Sequence, residues 1–343
     1  MQSFYLKILN WYDQNQRDLP WRATKNPYKI WLSEIILQQT RVEQGRSYYE
    51  KFVLHYPTVQ DLAQASEDQV LKLWEGLGYY SRGRNLLATA KIIAIDYNGE
   101  FPNNANDLKK LKGIGPYTSA AISSISNNER IAAVDGNAFR VLSRFFDIEK
   151  DISLNTTRKY FEKLMTELIE GNRPGDFNQA VMDLGASICT PKNYQCETCP
   201  LNYGCIAFEK KQVDQRPVKT KKLKIKDRYL HFLLIFDSSK IALERREEGI
   251  WKGLYQFPLI EMETNNTASS DLIKSAQIPI ENAKLIQKND SPHKLSHQNL
   301  FISFWKVDSK GADLKYDLEE LEKLSFPKPL KTFIEGYFSE VNI

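Results

Sequence analysis

Two carboxylates, a Gly-x-Gly turn and four cysteines are the residues whose types and spacing could do chemistry in this chain. Glu34 sits among Trp31, Ile35, Ile36 and Leu37. A carboxylate in such a stretch is costly to bury in its charged form, so burial would raise its pKa. On the solvent face of a helix it would be ordinary, and the local pattern leaves both readings open. Asp135 closes the apolar run Ile131–Val134 and opens a helical pattern. Helix N-termini favour a carboxylate, so its default role is an N-cap. Between the two lies Leu111-Lys112-Gly113-Ile114-Gly115-Pro116-Tyr117-Thr118. The glycines allow a sharp turn with uncovered N–H groups, and Pro116 suits a first helical turn. This is either a phosphate site at a helix N-terminus or a plain interhelix turn.

All four cysteines fall in Cys189-x6-Cys196-x2-Cys199-x5-Cys205. In a reducing compartment such a cluster favours a metal site over disulfides. Zinc and an iron–sulfur cluster both take thiolates, and ligand softness alone points to zinc. The spacing is neither a usual zinc-finger pattern nor the ferredoxin run.

The elements that must position these groups are helical over the first two thirds of the chain. An amphipathic helix starts at Phe4 and ends before Pro20; a second begins near Tyr28 and carries Glu34 through Thr40. Ser66 and Gln69 form a capping box ahead of Val70–Trp74. The loop Gly76–Arg84 could wedge a ring into a base stack while Arg82 and Arg84 meet phosphates, or be a solvated connector. Helices are expected over 85–97, 117–124, 158–170 and 177–188, with Asn106 or Asp107 capping the short helix before the turn. Lys210–Arg228 holds nine Lys or Arg against two Asp and reads as an exposed basic linker. Beyond it the pattern turns to strands: Tyr229–Phe236 paired with Ile241–Glu244, then Trp251–Pro258 and Leu300–Val307, a polar loop at 264–270 and a closing helix at 328–340. At 343 residues two domains are expected, the second α+β. A net charge of +4 permits nucleic-acid binding without arguing for it. No apolar run reaches the roughly 18 residues of a membrane span, and Met1–Ile8 shows no secretion signal, so a cytoplasmic protein is expected.

Several of these stretches together resemble one family. Leu19-Pro20-Trp21-Arg22, Trp31-Leu32-Ser33-Glu34 with Leu37-Gln38-Gln39-Thr40, the Gly-x-Gly-Pro-Tyr-Thr turn, Val134-Asp135-Gly136-Asn137 and the cysteine spacing are similar to the helix-hairpin-helix DNA glycosylases of the endonuclease III superfamily. Within it they resemble the MutY-type adenine DNA glycosylases. Residues 228–343 resemble the MutT-like, Nudix-fold domain of that family. The resemblance implies an all-α glycosylase domain over 1–207 with a [4Fe–4S] loop at 189–205, a linker at 208–227, and an α+β Nudix-like domain over 228–343 that recognises 8-oxoguanine.

It implies removal of adenine opposite 8-oxoguanine or guanine in duplex DNA, by a bacterial, nucleoid-associated monomer that needs no membrane. Glu34 would protonate the flipped adenine and then act as base toward water, Asp135 would stay ionised to stabilise the sugar cation or bond to it transiently, and Tyr117 and Asn137 would hold both. Trp21, Arg22 and Gln179 are carried over as the adenine pocket. Gln39, Thr40 and Tyr79 are carried over as contacts to the partner base, and Gly113 and Gly115 as backbone-phosphate contacts. Cys189, Cys196, Cys199 and Cys205 would hold the cluster. Bifunctional relatives place a Schiff-base lysine where this chain has Tyr117, so base removal without strand cleavage is implied. The family reads 8-oxoguanine with a Phe-Ser-His loop; here Leu295 replaces the aromatic before Ser296 and His297. The Nudix metal-binding helix motif does not follow Pro258, which implies recognition rather than hydrolysis. The alternatives are a glycosylase for oxidised pyrimidines or mismatched thymine, or a non-catalytic DNA-binding protein.

Overall fold

The computed structural model describes residues 3–220, 224–264, 267–276, 278–309 and 311–340. Linker residues 221–223 and the loop residues Asn265 and Asn266 lie outside the described residues. The chain forms two compact units: Met1–Ala65 with Asn85–Lys221, and Ser66–Arg84 with Lys222–Ile343.

The helices of the first stretch are α1 (Phe4–Asn15), α2 (Pro27–Leu37), α3 (Val42–His55), α4 (Val59–Gln64), α5 (Glu67–Leu73), α6 (Ser81–Asp96), α7 (Ala105–Leu108), α8 (Pro116–Asn127), α9 (Gly136–Phe145), α10 (Asn155–Glu167), α11 (Pro174–Ser187) and α12 (Ile206–Glu209). Their starts are chemically marked. Ser3 and Asn26 accept first-turn N–H groups, and Pro27, Pro116 and Pro174 occupy first helical positions. The Ser66–Gln69 capping box is present. Asn104, rather than Asn106 or Asp107, caps α7, accepting from the Asp107 N–H at 2.9 Å. The second helix stops at Leu37, short of Thr40, because Gln39 takes a left-handed φ of 58°.

In the first unit the amphipathic faces of α1, α9, α10 and α11 close on Ile8, Leu142, Phe161, Met165, Phe177 and Leu184, all fully or almost fully buried. Each such side chain contributes about 1.5–3 kcal/mol by leaving water. The first part of the expected linker is exposed at Lys210, Lys211, Asp214 and Gln215, but Val213 and Arg216 are buried, and Arg216 pairs with Asp147 at 2.8 Å. The loop cation at Arg82 is likewise buried. It stacks on Trp74 with Cζ 5.1 Å from the ring and donates to the Gly78 carbonyl at 3.1 Å. Arg82 therefore shapes its own loop instead of reaching for phosphate.

The second unit carries β1 (Lys226–Leu234), β2 (Lys240–Ile241), β3 (Glu244–Arg245), β4 (Tyr255–Gln256), β5 (Leu259–Met262), α13 (Ser269–Ser275), β6 (Asn282–Lys288), β7 (His293–Lys294), β8 (Gln298–Asp308), β9 (Tyr316–Asp317) and α14 (Lys328–Glu340). The main sheet runs β5-β1-β8-β6, with β7 also on β8. β1 pairs in parallel with β8, and antiparallel with β5. The expected pairing of 229–236 with 241–244 shrinks to one bridge, Phe236 to Ile241, because β1 spends its edges on β8 and β5. The stretch 251–258 contributes only the two-residue β4, since Trp251 turns with φ 64°. Part of the expected polar loop at 264–270 is taken by the first turn of α13. Phe232, Phe257, Phe304 and Phe333 build the core under α14, with Phe304 and Phe333 stacked at 3.7 Å.

Candidate active site

Helices α2, α8, α9 and α11 and the turn Pro20–Arg22 converge on a cavity of about 230 Å³ in the first unit. Its walls bring together Trp21, Arg22, Glu34, Thr40, Tyr117, Asp135, Asn137 and Gln179. Gln39 lies outside that lining and is exposed, as are Ser296 and His297 in the second unit.

Glu34 reaches this cavity from the last turns of α2, whose other side chains Ile35 and Ile36 are in the core. Burial pushes its carboxyl up to about 7, while a hydrogen bond with the Tyr117 hydroxyl and the charge of Arg22 pull the other way. Tyr117 also lies 3.4 Å from Met182 Sδ. A protonated Glu34 can donate to the phenol oxygen while the phenol O–H turns to the thioether.

Asp135 is the N-cap of α9. Its Oδ1 accepts the Ala138 N–H at 2.8 Å and its Oδ2 accepts Asn137 Nδ2 at 2.7 Å. Burial raises its pKa, and these N–H donors lower it. Both carboxyls are thus pushed up by burial. Asp135 has backbone and amide donors plus the helix N-terminus to favour its charge, whereas Glu34 has one phenol and the charge of Arg22. Asn137 is held in turn by Arg140, which donates to its Oδ1 at 2.6 Å and to the Gly185 and Cys189 carbonyls at 2.7 and 2.6 Å.

Sequence reading missed Asp183. It is buried on α11 and accepts from Arg17 Nε at 2.7 Å and Arg22 Nη2 at 2.8 Å. Its signal was faint: one acid between Met182 and Leu184 in a helix that could show it to water.

At the turn before α8, Gly113 has φ +80°, and a Cβ there would meet Asn85 Cβ at 2.9 Å. Gly115 has an ordinary φ of −88° and open space around it. Among the described residues the N–H groups of Gly113 and Gly115 have no acceptor, which leaves them for one arriving from outside.

The four cysteines line a small apolar cavity with Ile188, Phe208 and Val213. Arg144 Nη1 lies 3.4 Å from Cys189 Sγ. Burial, then the neighbouring cysteines, push the Cys196 thiol up to about 11. Among the described residues no group of three His, Cys, Asp or Glu side chains is placed to hold a metal ion.

In the second unit Tyr79, Trp251, Leu295, Ser296 and His297 line a cavity of about 390 Å³. The Tyr79 hydroxyl and Ser296 Oγ are hydrogen-bonded to each other. Leu295 also packs against the core of this unit.

The family model of the HhH-GPD superfamily base excision DNA repair proteins matches residues 32–169, and that of the NUDIX domain matches 231–336. An adenine DNA glycosylase of Buchnera aphidicola subsp. Schizaphis graminum is 38% identical over 96% of this chain and 96% of its own length. This chain belongs to the adenine DNA glycosylase family. The human adenine DNA glycosylase is 41% identical over 62% of this chain and 41% of its own length. Among solved structures, a thermostable thymine-DNA glycosylase aligns with a TM-score of 0.56 at 32% identity, covering 60% of this chain and 95% of that one. A trapped endonuclease III–DNA covalent intermediate aligns at 0.53 and 21% identity over 60% of this chain and 94% of its own, which shows the shared helical fold. No helix among the described residues is long and apolar enough to cross a membrane.

Proposed function

We propose that this protein removes adenine paired with 8-oxoguanine or guanine from duplex DNA by hydrolysing the N-glycosidic bond, without cutting the strand. The observation that carries the reading is Glu34 beside Tyr117 in the cavity that Asp135 also lines, where burial pushes the Glu34 carboxyl up to about 7. Adenine leaves readily only when its ring is protonated, and a carboxyl that keeps its proton near neutrality can supply it. The flipped base needs a cavity, because nothing in the stack is within reach. As the bond breaks, the sugar gains oxocarbenium character, which Asp135, given its charge by Ala138 and Asn137, stabilises. Glu34, having given up its proton, then takes one from the attacking water. Trp21, Arg22 and Gln179 bind the base, and the free N–H groups around Gly113 and Gly115 take a backbone phosphate.

The four cysteines line one cavity, and with the family's spacing they would hold a [4Fe–4S] cluster. Such a cluster would cross-link the loop 189–205 and serve structure. Visible absorbance and iron content of the purified protein test this, and stoichiometric zinc without iron is the opposing result.

The deciding experiment is single-turnover base release from a duplex with adenine opposite 8-oxoguanine. Release followed by strand scission only after alkali or heat is expected. Scission by the protein alone points to a lysine-type bifunctional enzyme, and no release overturns the reading.

The second unit is inferred to read the lesion through the cavity lined by Tyr79, Ser296 and His297. Ser296→Ala with His297→Ala should lower the preference for 8-oxoguanine over guanine opposite adenine by roughly tenfold, the worth of one or two hydrogen bonds. The ratio of the two single-turnover rates measures it, and an unchanged ratio removes these residues from recognition.

A further inference from the structure

We infer that Asp183 is a positioning residue for this site: it pins the Arg22 guanidinium to the cavity wall and keeps it from pairing with Glu34. The inference rests on the proposed function, in which Glu34 must keep a proton to give.

Asp183 does not line the cavity; it lies behind Arg22 with 1% of its surface exposed. Arg22 presents a fork to it, Nη2 to Oδ1 at 2.8 Å and Nη1 to Oδ2. Arg17 donates to the same carboxylate through Nε at 2.7 Å and through its backbone N–H at 3.4 Å. The Tyr12 ring of α1 covers the guanidinium, its centroid 5.6 Å from Cζ. Arg22 is therefore anchored by α11, by its own turn and by α1. The anchor matters because of what else is near. The charged or titratable groups acting on Glu34 are Tyr117 from α8, Asp135 from α9 and Arg22 from the turn. Arg22 is the one cation among them, and a guanidinium released from Asp183 would find the carboxylate form of Glu34 its best partner. That pairing would strip the acid of its proton. Two guanidiniums against one carboxylate leave one positive charge, so Asp183 also cancels part of the field that Glu34 feels.

The test is a carbon-13 titration of the glutamate carboxyl carbons in the full-length protein. The Glu34 signal is assigned by its loss in Glu34→Gln, and single-turnover adenine release is followed across the same pH range. Asp183→Asn should move the Glu34 midpoint down by about one pH unit, a tenfold change in proton affinity. The loss of activity with rising pH should move with it. Asp183→Glu should restore most of both. Arg17→Ala leaves Asp183 wholly to Arg22 and should move the midpoint the other way. An unmoved midpoint in Asp183→Asn overturns the inference, whatever happens to the rate; if that variant does not fold, an unmoved or lowered midpoint in Arg17→Ala does so. Should wild type release no adenine while the midpoint still moves as stated, the proposed reaction falls and the hold of Asp183 on Arg22 stands.

Discussion

Replacing Glu34 by Gln is expected to slow adenine release by about 10²–10⁴-fold, the range that general acid catalysis supplies. Gln keeps the shape and a hydrogen bond to Tyr117 but has no proton to give. The same residue sets the pH profile. Burial holds its pKa at about 7, so the wild-type rate should fall as pH rises through that value, and the residual rate of Glu34→Gln should lack this limb. Stability gives a reading independent of activity. The folded state binds the Glu34 proton up to about 7, whereas the unfolded chain releases it near 4.5. Between those values the folded state holds more protons, so stability falls as pH rises, by on the order of 3 kcal/mol in total. Above about pH 7 the full cost is present, and below about 4.5 it vanishes. Glu34→Gln should therefore melt above wild type at pH 8, with the gap closing towards pH 4.5. Equal melting temperatures at pH 8 would mean that Glu34 is solvated and ordinary.

Asp135→Asn is the second large effect, and its logic is the reverse. Asn caps helices as well as Asp does, so α9 keeps its start and stability should change by less than about 1 kcal/mol. The charge is lost together with one acceptor, since an amide nitrogen cannot accept the Asn137 N–H now taken by Oδ2. Release should slow by about 10²–10³-fold, the usual loss when a preorganised electrostatic partner of a transition state is removed. Circular dichroism and thermal melts separate this from unfolding. A rate within a factor of about three of wild type would reduce Asp135 to a cap, far below the electrostatic contribution assigned to it.

Some of this was legible along the chain, for physical reasons. Asp135 at a helix start is a local matter, settled within three residues by the Ala138 N–H. The Gly-x-Gly-Pro turn is local too, and Pro116 opens α8 as expected. What could not be read depends on partners far away in sequence. Whether Glu34 faced water or core depended on α3, α8 and the turn Pro20–Arg22 packing against α2. Asp183 needed Arg22, 161 residues upstream, to turn a surface-like acid into a buried one. Arg216 looked like one more linker cation until Asp147 and Glu149 met it. Likewise the β1 edges were claimed by β8, some 70 residues on, before the neighbouring hairpin could use them.

The stretch 66–84 has a consequence for anyone wishing to cut the protein in two. Its Glu75 accepts the Phe326 N–H at 3.1 Å, its Lys72 donates to the Leu324 carbonyl at 2.9 Å, and Arg245 pairs with Asp68 at 2.8 Å. A scissor placed in the basic segment near residue 221 would thus leave α5 and its loop on the wrong fragment, deprived of these contacts. The second unit is not a detachable C-terminal cassette. It is assembled from two distant lengths of polypeptide, and only a fragment pair that keeps 66–84 in trans, or a graft that carries it along, would preserve it.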